Sequence, residues 1–182
     1  MGLNPNHLSL EIPLLINEYK LFVERCCDFV KDVPQISSDF KKCAKFKLVT
    51  IELLTNAMKH SETTSFIHVI KRKHQVVIKK TDYGKRFYFK DAITKKNYDF
   101  PINDFISGEK IKATLGNNYE LPLLVKSNCK VEFLIEEEVI YESVFEIPEH
   151  FGLKIIRQCC DSFHYHFDAA KNQNIFEVVF DI

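Results

Sequence analysis

Four hydrogen-bonding side chains in one segment have the types and the spacing to do chemistry together. Glu52 and Asn56 are four residues apart, and Lys59 and His60 follow about one turn later, in a stretch whose apolar residues recur at helical spacing. A helix would place all four side chains on nearly the same side, where the carboxylate can reach a substrate hydroxyl as a general base. The alternative is an ordinary amphipathic helix whose polar face is in water.

Two short segments that contain glycine are also candidates for a binding site. Asp82-Tyr-Gly84 follows an apolar strand pattern, and Gly152-Leu153 opens a helical pattern that follows Pro148. The exposed amides and the dipole of a helix N-terminus form an anion site. Each segment has a simpler interpretation, which is a plain β-turn for the first and a common helix start for the second.

The order and flanks of these three segments resemble a known family. The string from Glu52 to Ser61 resembles the N-box of histidine kinases and anti-sigma kinases, Asp82-x-Gly84-x-x-Phe87 resembles the G1 box, and Gly152-Leu153 lies where the G2 box has Gly-Leu. The chain is thus similar to the GHKL (Bergerat-fold) ATPase domains, the histidine kinase-like ATPases.

The resemblance implies ATP and Mg²⁺ as cofactors and assigns a role to each candidate residue. Mg²⁺ prefers oxygen ligands and keeps several waters, so one amide oxygen together with nucleotide phosphates can hold it. The resemblance implies that Glu52 is the catalytic base and that Asn56 is the metal ligand. Lys59, His60, Gly152 and Leu153 would lie near the phosphates. Asp82 would accept a hydrogen bond from the adenine amino group, and Gly84 would let the backbone come close to the base.

The sequence departs from the family pattern in two of the boxes and in one spacing. Lys85 stands where many members have a second glycine, and His150 replaces the first glycine of the G2 box. Asp82 and Gly152 are 70 residues apart, so an insert at about 91–146 occupies the place of the ATP lid. We leave open whether the insert is a lid, a partner surface or a structural extension.

The pattern of elements predicts an α+β fold in one domain, 1–182. A strand over 7–12 precedes two helices, 14–30 and about 39–60. Strands follow at 65–70 and 75–80, with hairpins at 130–147 and 163–182 on either side of a helix at 152–160. With the resemblance, this order predicts a two-layer α/β sandwich of Bergerat type, with a mixed, mostly antiparallel sheet and helices on one face. The predicted buried stripe of the second helix is Phe40, Ala44, Leu48, Ile51, Leu54 and Met58.

Composition argues against nucleic acid and membrane partners. The 182 residues carry 25 basic and 25 acidic side chains, and nucleic acids and membrane surfaces are bound largely through excess positive charge. No apolar run is long enough to span a bilayer. The six cysteines form no C-x-x-C pair, and residues 1–6 show no signal pattern, so we expect a protein of the reducing cytoplasm.

Within the family, the chain is closest to the stand-alone anti-sigma-factor serine/threonine kinases, since only 51 residues precede Glu52 and leave no room for a phosphoacceptor helical hairpin. The resemblance implies phosphate transfer to a serine or threonine of a small antagonist protein or sigma-like regulator, and it makes a homodimer one state to expect. The first alternative is a non-catalytic adapter that binds a protein partner, with nucleotide as a structural ligand or absent. The second is an unrelated α+β binding module.

Overall fold

The helices come mostly before the sheet in the chain. The computed structural model describes residues 4–103, 106–115, 119–135 and 152–182. A 3-10 turn (Ile16–Glu18) leads into helix α1 (Tyr19–Phe29), which is followed by α2 (Pro34–Ser37), the long α3 (Phe40–His60) and, late in the chain, α4 (Gly152–Cys159). Helix α3 begins where predicted because the Asp39 carboxylate accepts hydrogen bonds from the backbone amides of Lys41 and Lys42, at 2.8 and 3.1 Å.

One ten-stranded sheet contains every strand of the described residues, and all of its pairings are antiparallel. Its spatial order is β1-β2-β3-β10-β9-β8-β7-β6-β4-β5. The strands are β1 (His7–Glu11), β2 (Phe66–Arg72), β3 (Gln75–Asp82), β4 (Tyr88–Asp91), β5 (Asn97–Asp99), β6 (Lys110–Leu115), β7 (Tyr119–Ser127), β8 (Lys130–Phe133), β9 (Ser162–Asp168) and β10 (Gln173–Asp181).

Helix α3 buries a different face from the one predicted. Of the predicted stripe, Leu54 is buried, but Phe40 is 86% exposed, and Leu48, Ile51 and Met58 are exposed as well. The buried apolar residues are Phe46, Val49, Leu53, Leu54 and Ala57. Phe46, Val49, Leu53 and Ala57 are also spaced three or four apart, with Leu54 next to Leu53, so the predicted period was right and its phase was wrong.

The described residues between 91 and 121 include strands. No strand is predicted in this segment from the sequence, yet it contains β5, β6 and the start of β7. The first strand of the predicted hairpin between 130 and 147 is confirmed as β8, but β8 pairs with β7 and β9. The second predicted strand of that hairpin, together with Pro148 and His150, lies outside the described residues. The described part of the insert thus extends the sheet rather than lying apart from it.

The far end of the sheet curls back on itself. In a flat sheet, β5 and β9 would lie roughly 24 Å apart, because five strand spacings separate them. Phe100, directly after β5, instead packs edge-on against Tyr165 of β9, with ring centroids 4.6 Å apart. The Ile102 amide donates to the Asn128 carbonyl at 2.6 Å, which fixes the returning chain beneath the β7–β8 turn. Strands β4 to β9 therefore enclose an aromatic core that accommodates many of the 16 phenylalanines.

The prediction of a two-layer α/β sandwich of Bergerat type is therefore wrong. The sheet is antiparallel throughout rather than mixed, and its ten strands dominate the described residues, which contain four α-helices. The physical reason is the size of the sheet. Helices α3 and α4 contact β3 and β9, whereas the strands beyond β9 bury their inner face against aromatic side chains of the curled sheet itself.

Candidate functional site

The C-terminal half of α3 carries the first group of candidate residues. The burial of Leu53 and Ala57 against the sheet fixes the rotation of the helix, and it leaves Glu52 and Asn56 half-buried on the flank. The helix ends at His60, where the Ser61 amide still donates to the Ala57 carbonyl at 2.8 Å. The cationic Lys59 thus lies in the last turn, where a positive charge interacts favourably with the helix dipole.

Helix α4 begins against this flank of α3. A Cβ atom at position 152 would lie 2.7 Å from Glu52 Oε2 and 3.3 Å from Asn56 Oδ1, so any larger residue there would displace the Glu52 carboxylate. Burial raises the pKa of the Glu52 carboxyl, and the charge of Lys59 partly opposes that shift. The structure therefore brings Glu52, Asn56 and Gly152 together, although almost 100 residues separate Gly152 from the other two along the chain.

Asp82 is the last residue of β3, and it is 3% exposed. Its Oδ1 accepts hydrogen bonds from the Gly84 amide and from Asn174 Nδ2, both at 2.9 Å, and its Oδ2 accepts from Lys80 Nζ at 2.5 Å. Gly84 lies beside it, since a Cβ there would be 3.2 Å from Asp82 Oδ1. The carboxylate is thus held in one orientation by three donors.

Lys80 and Asn174 are site residues that the sequence analysis missed. Lys80 is 4% exposed, and its ammonium donates to Ser61 Oγ at 2.8 Å as well as to Asp82. Burial lowers the pKa of this ammonium, while Asp82 raises it in opposition. Lys80 could have been found from strand periodicity, because it lies in phase with the buried Val76 and Ile78, four and two positions earlier.

Asn174 joins the site to the aromatic core. Its Nδ2 donates to Asp82 Oδ1, and its Oδ1 accepts from the Tyr165 hydroxyl at 2.6 Å. The pairing of β10 with β3 places Asn174 directly opposite Asp82. Only the antiparallel register brings these two residues together, so nothing local in the sequence marks Asn174.

A cleft of about 500 Å³ opens between these elements. Among the sequence-predicted residues, Asn56, Lys59, His60, Asp82 and Leu153 line it. Gly152 lies beside both Glu52 and the lining residue Asn56, and Gly84 lies beside Asp82. All eight residues named from the sequence are therefore near one cavity, and no segment is separated from the other two.

Apolar side chains and strands of the insert complete the walls. Phe87 and Phe176 line the cleft together with Leu53, so a flat ring could be buried between hydrophobic groups. Tyr88 of β4 and Thr114 of β6 also line it. At least these two strands after Gly84 therefore contribute directly to the cavity, whose remaining polar lining comes from α3, β3, β10 and the loops that follow α3 and β3.

No family model matches the chain, and no curated protein is significantly similar to it. Within the described ranges, no helix is long and apolar enough to cross a membrane. The same residues contain no cluster of three or more histidine, cysteine, aspartate or glutamate side chains that could hold a metal ion.

Proposed function

We propose that this chain binds Mg·ATP in the cleft and transfers the terminal phosphate to a serine or threonine of a partner protein. The observation that carries the proposal is the meeting of three distant segments around one cavity, with Asn56, Asp82 and Leu153 in its lining. The cavity volume of about 500 Å³ lies within the range of small-molecule sites. The proposal rests on this convergence and on the resemblance of the three motifs, not on the sandwich fold predicted from the sequence.

The base would lie at the end of the cleft that contains Asp82. Phe87, Phe176 and Leu53 provide apolar contact, and the Asp82 carboxylate accepts the adenine amino group. Three donors already hold this carboxylate in place, so little conformational entropy is lost when a ligand binds to it.

The phosphates would lie at the end that contains Asn56 and Lys59. Magnesium supplies charge neutralisation at the phosphates, and the Asn56 amide oxygen is the protein ligand that fits it. This fits the described residues, which lack an all-protein metal cluster, so the cation would be held together with the nucleotide. Lys59 adds a positive charge, and the first amides of α4 provide a second group of donors.

Glu52 would act as the base that takes the proton of the attacking hydroxyl. Its burial against α4 raises the pKa of the carboxyl and so makes it a better proton acceptor than a solvated glutamate. The charge of Lys59 opposes this rise in the pKa of Glu52 and so favours the carboxylate form, which is the form that can accept a proton.

Calorimetric titration with Mg·ATP tests the binding half of the proposal. We expect saturable binding by the wild type and a loss of at least about tenfold in affinity for Asn56→Ala, which removes the metal ligand. Asn97→Ala, in the exposed edge strand β5, is the matched control and should bind normally. Absence of heat and of any thermal shift with the wild type would remove the proposal.

The catalytic half is tested with Glu52→Gln. This variant should bind Mg·ATP as the wild type does, while the slow formation of ADP from ATP falls by about two orders of magnitude or more. Equal rates of ADP formation in the two proteins would show that Glu52 is not the base.

A non-catalytic adapter is the second candidate function, and one observation favours it. The Asp82 carboxylate, which would read the base, already accepts three hydrogen bonds within the protein, one of them from a buried lysine. In that case the polar cluster would stabilise the fold and the cleft would receive a side chain of a protein partner. The same titration discriminates, because the adapter without nucleotide shows no Mg·ATP heat.

A further inference from the structure

The floor of the cleft is a buried polar network whose hydrogen-bonding capacity can be counted. A carboxylate offers about four lone pairs, two on each oxygen. Asp82 Oδ1 uses both of its lone pairs, for Gly84 and Asn174, whereas Oδ2 accepts only from Lys80. One acceptor site therefore remains on Oδ2 within the part of the chain that the structure describes.

The ammonium of Lys80 has a matching surplus on the donor side. It carries three N–H groups. In the described residues, two of them donate, to Asp82 Oδ2 and to Ser61 Oγ. Both Lys80 and Asp82 line the cleft, and the Phe176 ring lies 5.4 Å from the ammonium. The third donor and the remaining acceptor thus belong to two hydrogen-bonded side chains that both line the cavity.

We propose that Lys80 is a specificity-determining residue of the nucleotide site and donates its third N–H to N1 of adenine, while Asp82 accepts from the adjacent N6 amino group. The proposal rests on nucleotide binding in this cleft, and it adds a positively charged reader of the base that none of the three sequence motifs contains. An acceptor next to a donor is the pattern that the adenine edge presents, so one spare donor and one spare acceptor satisfy it completely.

Guanine fits the same pair less well. Lys80 could donate to its O6 and Asp82 could accept from its N1–H, but the N2 amino group would then need a second free acceptor on the same carboxylate. Gly84 and Asn174 have already used both lone pairs of Oδ1. A buried donor without a partner lowers affinity, so we expect ATP to bind at least about fivefold more tightly than GTP.

The decisive probe is 1-deaza-ATP, in which a C–H group replaces N1 and the amino group is retained. The wild type should bind 1-deaza-ATP at least about tenfold more weakly than ATP, because a hydrogen bond from a charged donor is lost. Lys80→Met should bind the two nucleotides equally, within about twofold, since it has no donor to lose. Lys79→Met is the matched control, because Lys79 pairs with Glu177 on the opposite face of β3 and should keep the wild-type preference.

Lys80→Met leaves the buried Asp82 without its cationic partner. A second variant therefore keeps the proposal testable if Lys80→Met does not fold. Lys80→Gln has two amide N–H donors, which match Asp82 and Ser61 and leave none for N1. It should also bind ATP and 1-deaza-ATP equally. Wild-type binding of ATP and 1-deaza-ATP with the same affinity would overturn the role of Lys80 and leave ATP binding intact, whereas no binding of either nucleotide would overturn the proposed function as well.

Discussion

Gly152 and Glu52 occupy a contact that no larger residue at position 152 can keep. A Cβ atom on Gly152 would approach Glu52 Oε2 to 2.7 Å, closer than real Cβ contacts allow. The neighbour is the far end of a flexible side chain, so the carboxylate can move aside and the backbone need not. The contact therefore controls where the carboxylate points rather than whether the protein folds.

The first prediction is that Gly152→Ala displaces the Glu52 carboxylate. ADP formation from ATP should fall by about tenfold to a hundredfold, because a general base moved by about 1 Å loses its alignment. The free energy of unfolding should change by less than about 1 kcal/mol. In a Glu52→Ala background the same glycine substitution should no longer reduce activity, and a further loss there would contradict the assignment.

The second prediction concerns the pH dependence of stability at Glu52. Burial raises the folded-state pKa of this carboxyl above 4.5, so the folded protein binds the proton more tightly than the unfolded chain. Stability then decreases as the pH rises from the unfolded pKa through the folded one. Glu52→Gln should be more stable than the wild type at pH 7, and the difference should vanish below about pH 4.

Urea unfolding of both proteins at pH 3.5 and pH 7 measures this difference. Glu11→Gln, at an exposed position of the edge strand β1, is the control and should differ little from the wild type at either pH. A gain for Glu52→Gln that is the same at both pH values would show that burial of the charge is not its cause.

The third prediction is that Asn174→Ala destabilises the protein by about 2–3 kcal/mol. The change leaves the Tyr165 hydroxyl without its acceptor and removes one of the two donors to Oδ1 of the buried Asp82. It should also weaken Mg·ATP binding, since Asp82 loses one of the groups that orient it. Gln173→Ala, whose side chain donates to the exposed Tyr83 hydroxyl, should change stability by less than about 0.5 kcal/mol. Similar losses for the two variants would contradict a network centred on Asn174.

The fourth prediction tests which face of α3 is buried. Phe46 is 1% exposed, so Phe46→Ala should cost about 3–5 kcal/mol in the free energy of unfolding. Phe40 is 86% exposed, and Phe40→Ala should cost less than about 0.5 kcal/mol. Chemical denaturation of the two variants is the measurement. A larger loss of stability for Phe40→Ala than for Phe46→Ala would show that the buried face is the one predicted from the sequence.

Local chemistry made part of this structure predictable. The start of the second helix at about residue 39 was predicted, and the spacing of Glu52 and Asn56 indicated their common flank. The phase of the buried stripe was not predictable, because α3 is rich in apolar residues on more than one side. Contacts with the neighbouring helices and the sheet determine which face of α3 is buried, and such long-range contacts produce no periodic pattern in the sequence.

The strands of the insert were hidden for identifiable reasons. β5 is three residues long, which is too short for an alternation to be recognised. β7 contains Pro122, a residue that normally argues against an interior strand. In β6 the inward position 113 is alanine, a weak hydrophobic signal. The role of Lys80 was missed because the predicted strand ended there, whereas β3 continues to Asp82.

The return of the chain at Phe100 onto Tyr165 also bears on how this protein could be shortened. Removing the strands between Tyr88 and Phe133, to approach a more compact nucleotide-binding domain, would remove Phe100, whose ring packs edge-on against Tyr165. That tyrosine holds Asn174, which in turn holds Asp82. A shortened version of the protein would therefore need new apolar side chains behind the cavity. The insert, which looks like an extension in the sequence, packs there and supports the cavity.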